Sequence, residues 1–226
     1  MDWARSFIRR LTGWLYPQCN RCLICGMPQL RERNRLLCVD CAAALADCAA
    51  RASTPEEQRE VAEFVWIAAP YRYAGAARQL VRLLKYSDTW AAAFPLGEAM
   101  AARVDPARWD LILPVPLHRK RLAYRGYNQA ALLGARVAEL SGLPQVEDAL
   151  TRVRGGRSQV GRTRAQRLHH LRGAFQANPA QVSGKRVLLV DDVCTTGATG
   201  AACAAALWQA GALEVGLLTA CRVQRV

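Results

Sequence analysis

Residues 187–200 read VLLVDDVCTTGATG: four apolar residues, two adjacent aspartates, then a run of small and hydroxylated residues. The order of these residue classes decides the fold. A short apolar run without polar alternation suits a strand covered on both faces, as in a parallel sheet. Asp191 and Asp192 are expected at the carboxyl end of that strand, where the loop meets solvent. Thr195, Thr196, Gly197, Ala198 and Thr199 then turn into an alanine-rich helix. A helix start has unpaired N–H groups and a positive dipole end. Small residues let a phosphate approach those amides, and threonine hydroxyls add donors. No lysine follows Gly197, and neither G-x-x-x-x-G-K-[ST] nor G-x-G-x-x-G occurs, which disfavours a nucleoside triphosphate. A loop of this kind suits a lone monophosphate, and the neighbouring carboxylates suit a polyol. Together they describe a ribose 5-phosphate.

Outward from this stretch, strands and helices alternate. Residues 64–73 read as a strand or bent hairpin strand. Residues 74–86 place Ala77, Leu80, Val81 and Leu84 on one helical face. A helix is expected over about 91–103, a strand over 109–116 and a helix over 127–142 that closes at Gly142. Asn128 and Gln129 are suited either to cap that helix or to meet a ligand. Residues 154–170 are rich in glycine and arginine, and their latter part reads as helical. RVLLV is the next strand, 198–211 the next helix, and 213–220 the last strand. This alternation predicts an α/β fold, a parallel sheet with helices on both faces, preceded by a small metal ribbon. Ligands of such sheets bind beyond the carboxyl ends of the strands.

The chain has 226 residues, 52% of them hydrophobic, enough for one domain and a small appendage. Its 31 basic residues, nearly all arginine, face 18 acids for a formal charge of +13. That balance suits anionic partners, either nucleic acid or phosphorylated small molecules, or else a generally basic surface. No stretch is apolar enough to span a membrane. Residues 1–17 read as a basic amphipathic helix ended by Pro17, without a signal-peptide core. A cytoplasmic protein is expected.

Six of nine cysteines lie within residues 19–48. Cys22-x-x-Cys25 followed by Cys38-x-x-Cys41 presents four thiolates to a structural zinc ion through two knuckles joined by a hairpin. Gly26 favours the 22/25 register over 19/22, and Cys48 has no matching partner. Cys194, Cys203 and Cys221 read as core residues. The expected layout is an N-terminal helix over 1–17, a zinc ribbon over 18–48, a linker over 49–60 and an α/β domain over 61–226.

VLLVDDVCTTGAT resembles the phosphoribosyl pyrophosphate signature of type I phosphoribosyltransferases. LPVPLHRKR (113–121), RGYNQA (125–130), SQVGRTRAQR…LRGAF (158–175), the Lys85-Tyr86 pair and the cysteine ribbon resemble the ComF/GntX competence-protein family. The resemblance implies that Asp191 and Asp192 hold the ribose hydroxyls and that Thr195, Thr196, Gly197, Ala198 and Thr199 hold the 5-phosphate. It makes Val115, Pro116, Leu117 and His118 a pyrophosphate loop, with Arg119 or Lys120 nearby and Mg²⁺ accompanying the ligand. Arg125 is expected in a cover over the site and, with the two acids, among the catalytic residues. Two functions follow as expectations: transfer of phosphoribose to an acceptor, or a non-catalytic nucleotide sensor. In the second, ribbon and arginines engage single-stranded DNA or the competence helicase and DNA-processing proteins.

Overall fold

A computed structural model describes residues 21–29, 36–51, 63–86, 89–154, 171 and 173–223. The expected N-terminal helix, Cys19, most of the 49–60 linker and the arginine-rich 155–170 lie outside the described residues. The elements, in chain order, are α1 (Val39–Ala46), β1 (Trp66–Ala68), β2 (Tyr71–Arg72), α2 (Gly75–Tyr86), α3 (Ala93–Ala101), β3 (Leu111–Pro114), α4 (Arg119–Arg125), α5 (Gln129–Ser141), β4 (Leu150–Arg152), β5 (Phe175–Ala177), α6 (Pro179–Val182), β6 (Arg186–Cys194), α7 (Ala198–Gln209) and β7 (Glu214–Arg222).

The main sheet is wholly parallel in the order β1-β7-β6-β3, with β2 continuing the edge beside β7. The 64–73 segment is therefore one bent edge strand and not a hairpin. Both halves run parallel to β7, broken at Pro70, which has no N–H to donate. β4 and β5 form a separate antiparallel pair.

Strand residues alternate between two cores, as the side-chain period of two requires. Val187, Leu189, Val215 and Leu217 pack with Ala202, Cys203, Ala206 and Leu207 of α7. Leu188, Val190, Leu218 and Ala220 pack with Leu80, Leu84, Leu96 and Leu133 of α2, α3 and α5. Both faces are thus covered, which is why VLLV carries no polar residue. Gly216 marks a tight crossing: a Cβ there would lie 2.3 Å from the ring of buried Trp109.

The ribbon is continuous with the second core, where Cys22, Leu37, Leu45 and Cys48 join α2. Where a linker is expected to start, the chain instead pairs with β2. Arg72 N–H donates to Cys48 O at 2.7 Å, and Ala50 N–H donates to Pro70 O at 2.8 Å. The Arg72 guanidinium reaches Asp47 O at 2.7 Å. Cys48 stays outside the metal cluster and bonds the carbonyls of Ala44 and Ala74.

Candidate functional site

β6 is longer than its apolar run. It continues through both aspartates to Cys194, pairing with β7 as far as Arg222. On the other side β3 stops opposite Val190, so the acids sit where β6 has lost one neighbour. They are strand residues, not loop residues, and an extended backbone sends consecutive side chains to opposite faces.

Asp191 lines a cleft of about 160 Å³ with Thr195, Thr196, Gly197, Ala198, Thr199, Gly200 and Thr219. That is room for a phosphoryl group or one small ring, not a whole nucleotide. Gly197 caps α7 at φ 71°, a conformation that costs glycine little, and α7 is long enough to carry a dipole. Two residues unforeseen in the sequence share the cleft, Arg121 of α4 and Arg152 of β4. Burial and the charge of Arg121 both disfavour the Arg152 cation, which lies 5.4 Å over the Phe175 ring. Burial, then the charge of Asp192, raises the Asp191 carboxyl to about 7, against the Asp192 N–H it accepts at 2.8 Å.

Asp192 faces the other way. Its Oδ1 lies 2.9 Å from Lys85 Nζ at the end of α2. Burial works against the Lys85 charge, but Asp192 outweighs it and the lysine is raised above its ordinary value.

The segment after β3 divides in the same manner. Val115 is buried and its N–H donates to Val190 O at 2.9 Å, fixing the turn beside the acids. Pro116, Leu117, His118 and Arg119 line a second cavity of about 1020 Å³, and Arg152 belongs to both cavities. His118 caps α4, its Nδ1 accepting from Lys120 N–H at 3.3 Å, while Lys120 lines neither cavity. Asn128 both caps α5 and donates to Val115 O at 3.1 Å. Arg125 is not brought into either cavity: it stacks 5.4 Å over Tyr86 and donates to Gln129 at 3.0 Å.

The four sulfurs of Cys22, Cys25, Cys38 and Cys41 lie within 4.8 Å of one another. A tetrahedral zinc–thiolate centre has sulfur–sulfur edges of roughly 3.8 Å, and Cys25 to Cys38 is 3.7 Å. Gly26 at φ 73° closes the first knuckle. The second lies at a helix start, where Cys38 caps α1, its Sγ accepting from Cys41 N–H at 3.5 Å; residues 30–35 of the hairpin expected between the knuckles lie outside the described residues. Burial opposes ionisation of Cys22, yet backbone hydrogen bonds from Cys25, Cys38 and Ile24 bring it to about 6. Burial and the neighbouring sulfurs push Cys41 well up. The set fits a structural zinc ion, with no carboxylate or histidine among the ligands.

DNA utilization protein YhgH of Escherichia coli K12 is 32% identical over 157 residues, 66% of this chain and 69% of that protein. The chain belongs to the ComF family. Competence protein F of Haemophilus influenzae, another ComF relative, is 37% identical over 92 residues, so the match spans only 40% of its length and 40% of this chain. No family model matches the chain. Among solved structures, the glutamine phosphoribosylpyrophosphate amidotransferase from B. subtilis complexed with ADP and GMP is 25% identical, covering 61% of this chain and 30% of that one at a TM-score of 0.43. At that score the overlap is partial, and the ComF chain's architecture stands on its own strand order.

Proposed function

We propose that the cleft binds the ribose 5-phosphate end of phosphoribosyl pyrophosphate or a related nucleotide, and that the protein is a cytoplasmic phosphoribosyltransferase-like factor in DNA uptake or nucleotide metabolism. One observation carries the reading. Asp191, the small-residue start of α7 and two arginines line a single cleft of monophosphate size. The names of its relatives, competence protein F and DNA utilization protein YhgH, support the DNA role.

In this reading, the N–H groups and hydroxyls of Thr195 to Thr199 hold the terminal phosphate, and Asp191 of the acid pair accepts from the ribose hydroxyls. The Pro116–Arg119 turn receives the pyrophosphate, with Arg152 spanning both cavities. Arg125 covers the site from the Tyr86 side. The cleft's donors, a carboxylate and hydroxyls, are hard oxygens that fit Mg²⁺ held largely through the ligand's own phosphates. Bound there, Mg²⁺ would supply countercharge for the departing pyrophosphate. Displacement at the anomeric carbon passes through an oxocarbenium-like state, which an ionised Asp191 stabilises at short range.

Calorimetry of wild type and Asp191→Asn with phosphoribosyl pyrophosphate and Mg²⁺ tests the pocket. Binding that is saturable in wild type and at least about tenfold weaker in the variant is expected; no binding to wild type overturns the reading. Pyrophosphate release against a panel of bases and amines then separates enzyme from sensor.

A second reading, a single-strand DNA or protein adaptor, is favoured by α4. Arg119, Lys120 and Arg121 are exposed there beside Tyr124, which is itself 90% exposed. Cations interleaved with an open aromatic ring suit stacked bases. Affinity for single strands that falls steeply with salt, and falls again in Tyr124→Ala, is the expected result; no binding at low salt removes this reading.

A further inference from the structure

The two acids of β6 are chemically identical neighbours in unlike surroundings. The Asp192 side chain is 12% exposed and paired to Lys85 at 2.9 Å; that lysine is itself 20% exposed. Lys85 is held in place from several sides. Leu84 is fully buried, its carbonyl accepts the Tyr127 hydroxyl at 2.8 Å, and the Tyr86 ring carries Arg125. Asp191 has no cation at ion-pair distance among the described residues; its carboxylate accepts only the Asp192 N–H and opens onto the cleft.

We propose that Lys85 is a positioning residue that gives the acids different work: it holds Asp192 against α2 as an anchor and leaves Asp191 as the carboxylate that meets the sugar hydroxyls. The inference rests on the ribose-phosphate reading of the cleft. A buried ion pair is strongly disrupted when one partner is removed, yet often tolerates removal of both. An anchor and a ligand contact therefore behave differently in a double-mutant cycle.

Lys85 also acts on Asp191 through space, since its charge favours the ionised acid. The other groups facing this cluster are Tyr73 ahead of α2, Cys221 of β7, and Cys203 of α7, which is close to Asp191 and Arg152. All three are neutral near pH 7. Arg121 and Arg152 also line the cleft that Asp191 opens onto, but among the described residues Lys85 is the cation at ion-pair distance from either acid, so it sets the balance between them.

The test titrates the full chain with phosphoribosyl pyrophosphate and Mg²⁺ across pH 5.5–8.5 (roughly one and a half units either side of Asp191's titration), for wild type, Asp191→Asn, Asp192→Asn, Lys85→Met, Lys85→Arg and the Lys85→Met/Asp192→Asn double variant, each checked by thermal melt. Asp191→Asn is expected to lose at least about tenfold in affinity. Each of the Asp192→Asn and Lys85→Met single variants loses affinity by leaving a charge unpaired, and the double variant recovers to within about threefold of wild type. Wild-type affinity rises with pH as Asp191 ionises; Lys85→Met moves that midpoint up by about one unit, and Lys85→Arg leaves it in place. A double variant as weak as Asp191→Asn shows Asp192 touching the ligand itself and overturns the inference. If the double variant does not fold, affinity lost in Lys85→Met and restored in Lys85→Arg sustains the inference, and affinity unchanged in Lys85→Met overturns it. Failure of wild type to bind at all instead removes the ribose-phosphate reading on which it stands.

Discussion

The two polar centres of this molecule are built by opposite means. The ribbon gathers four sulfurs from residues 22–41, held by a knuckle and one helix start around the place of the ion they would share. The cleft gathers side chains from residues 121–219, brought together by β4, β6, β7 and two helix starts whose positions depend on two filled cores. A local centre can be lost with its ion while the sheet remains; a long-range centre is lost only when the sheet is disturbed.

Cys22→Ser is the strongest way to test that contrast. It is expected to abolish an otherwise equimolar zinc content and to cost several kcal/mol of ribbon stability, since structural zinc supplies roughly 10 kcal/mol or more of binding energy in small domains. Far-ultraviolet dichroism should still report a folded α/β unit. A metal-free wild type with an unchanged melt would break the contrast. Gly216→Val is the converse. Its side chain would meet the Trp109 ring, costing about 3 kcal/mol by overpacking, while zinc content stays at wild type. Asp191→Asn should separate function from stability. The native carboxyl is raised to about 7, so its favourable contribution is present at low pH and is lost as pH rises from about 4 to about 7. The amide should therefore stabilise the free protein at pH 8, on the order of 1–2 kcal/mol, while weakening ligand binding.

The smallest effect lies at the far end of the sheet. Arg186 donates to Asp110 at 2.8 Å, and its side chain and backbone hold that carboxyl at about 2. A lowered acid stabilises the fold above its unfolded value, and that contribution fades as pH falls from about 4 to 2. Asp110→Asn should cost about 1 kcal/mol at neutral pH, because the pair is a third exposed, and nothing at pH 2.

How far each centre could be read in advance follows from the same contrast. Cysteine spacing fixes a site that closes within twenty residues, so Cys22, Cys25, Cys38 and Cys41 were legible, although the helical second knuckle was not. The VLLV run, the α2 face and Gly197 at the start of α7 were legible because strand and helix periods are local. The opposed directions of Asp191 and Asp192 follow from the strand period once β6 is known to run through them; the apolar run alone ends at Val190, four residues short of the strand's end. Arg121, Arg152 and the Lys85 pairing carry no local signal, because each meets the site only through packing between distant elements. Lys85 sits at the polar margin of its helix, one residue past buried Leu84, as any solvated lysine would.

Residues 48–50 close the free side of β2 with backbone hydrogen bonds. A chain cut back to the α/β unit would therefore present an open, unpaired strand edge along Tyr71 and Arg72, a template for strand exchange between copies. The metal-bearing segment doubles as a seal against self-association, and shortened versions beginning near residue 61 should precipitate or pair at concentrations where the whole chain stays dispersed.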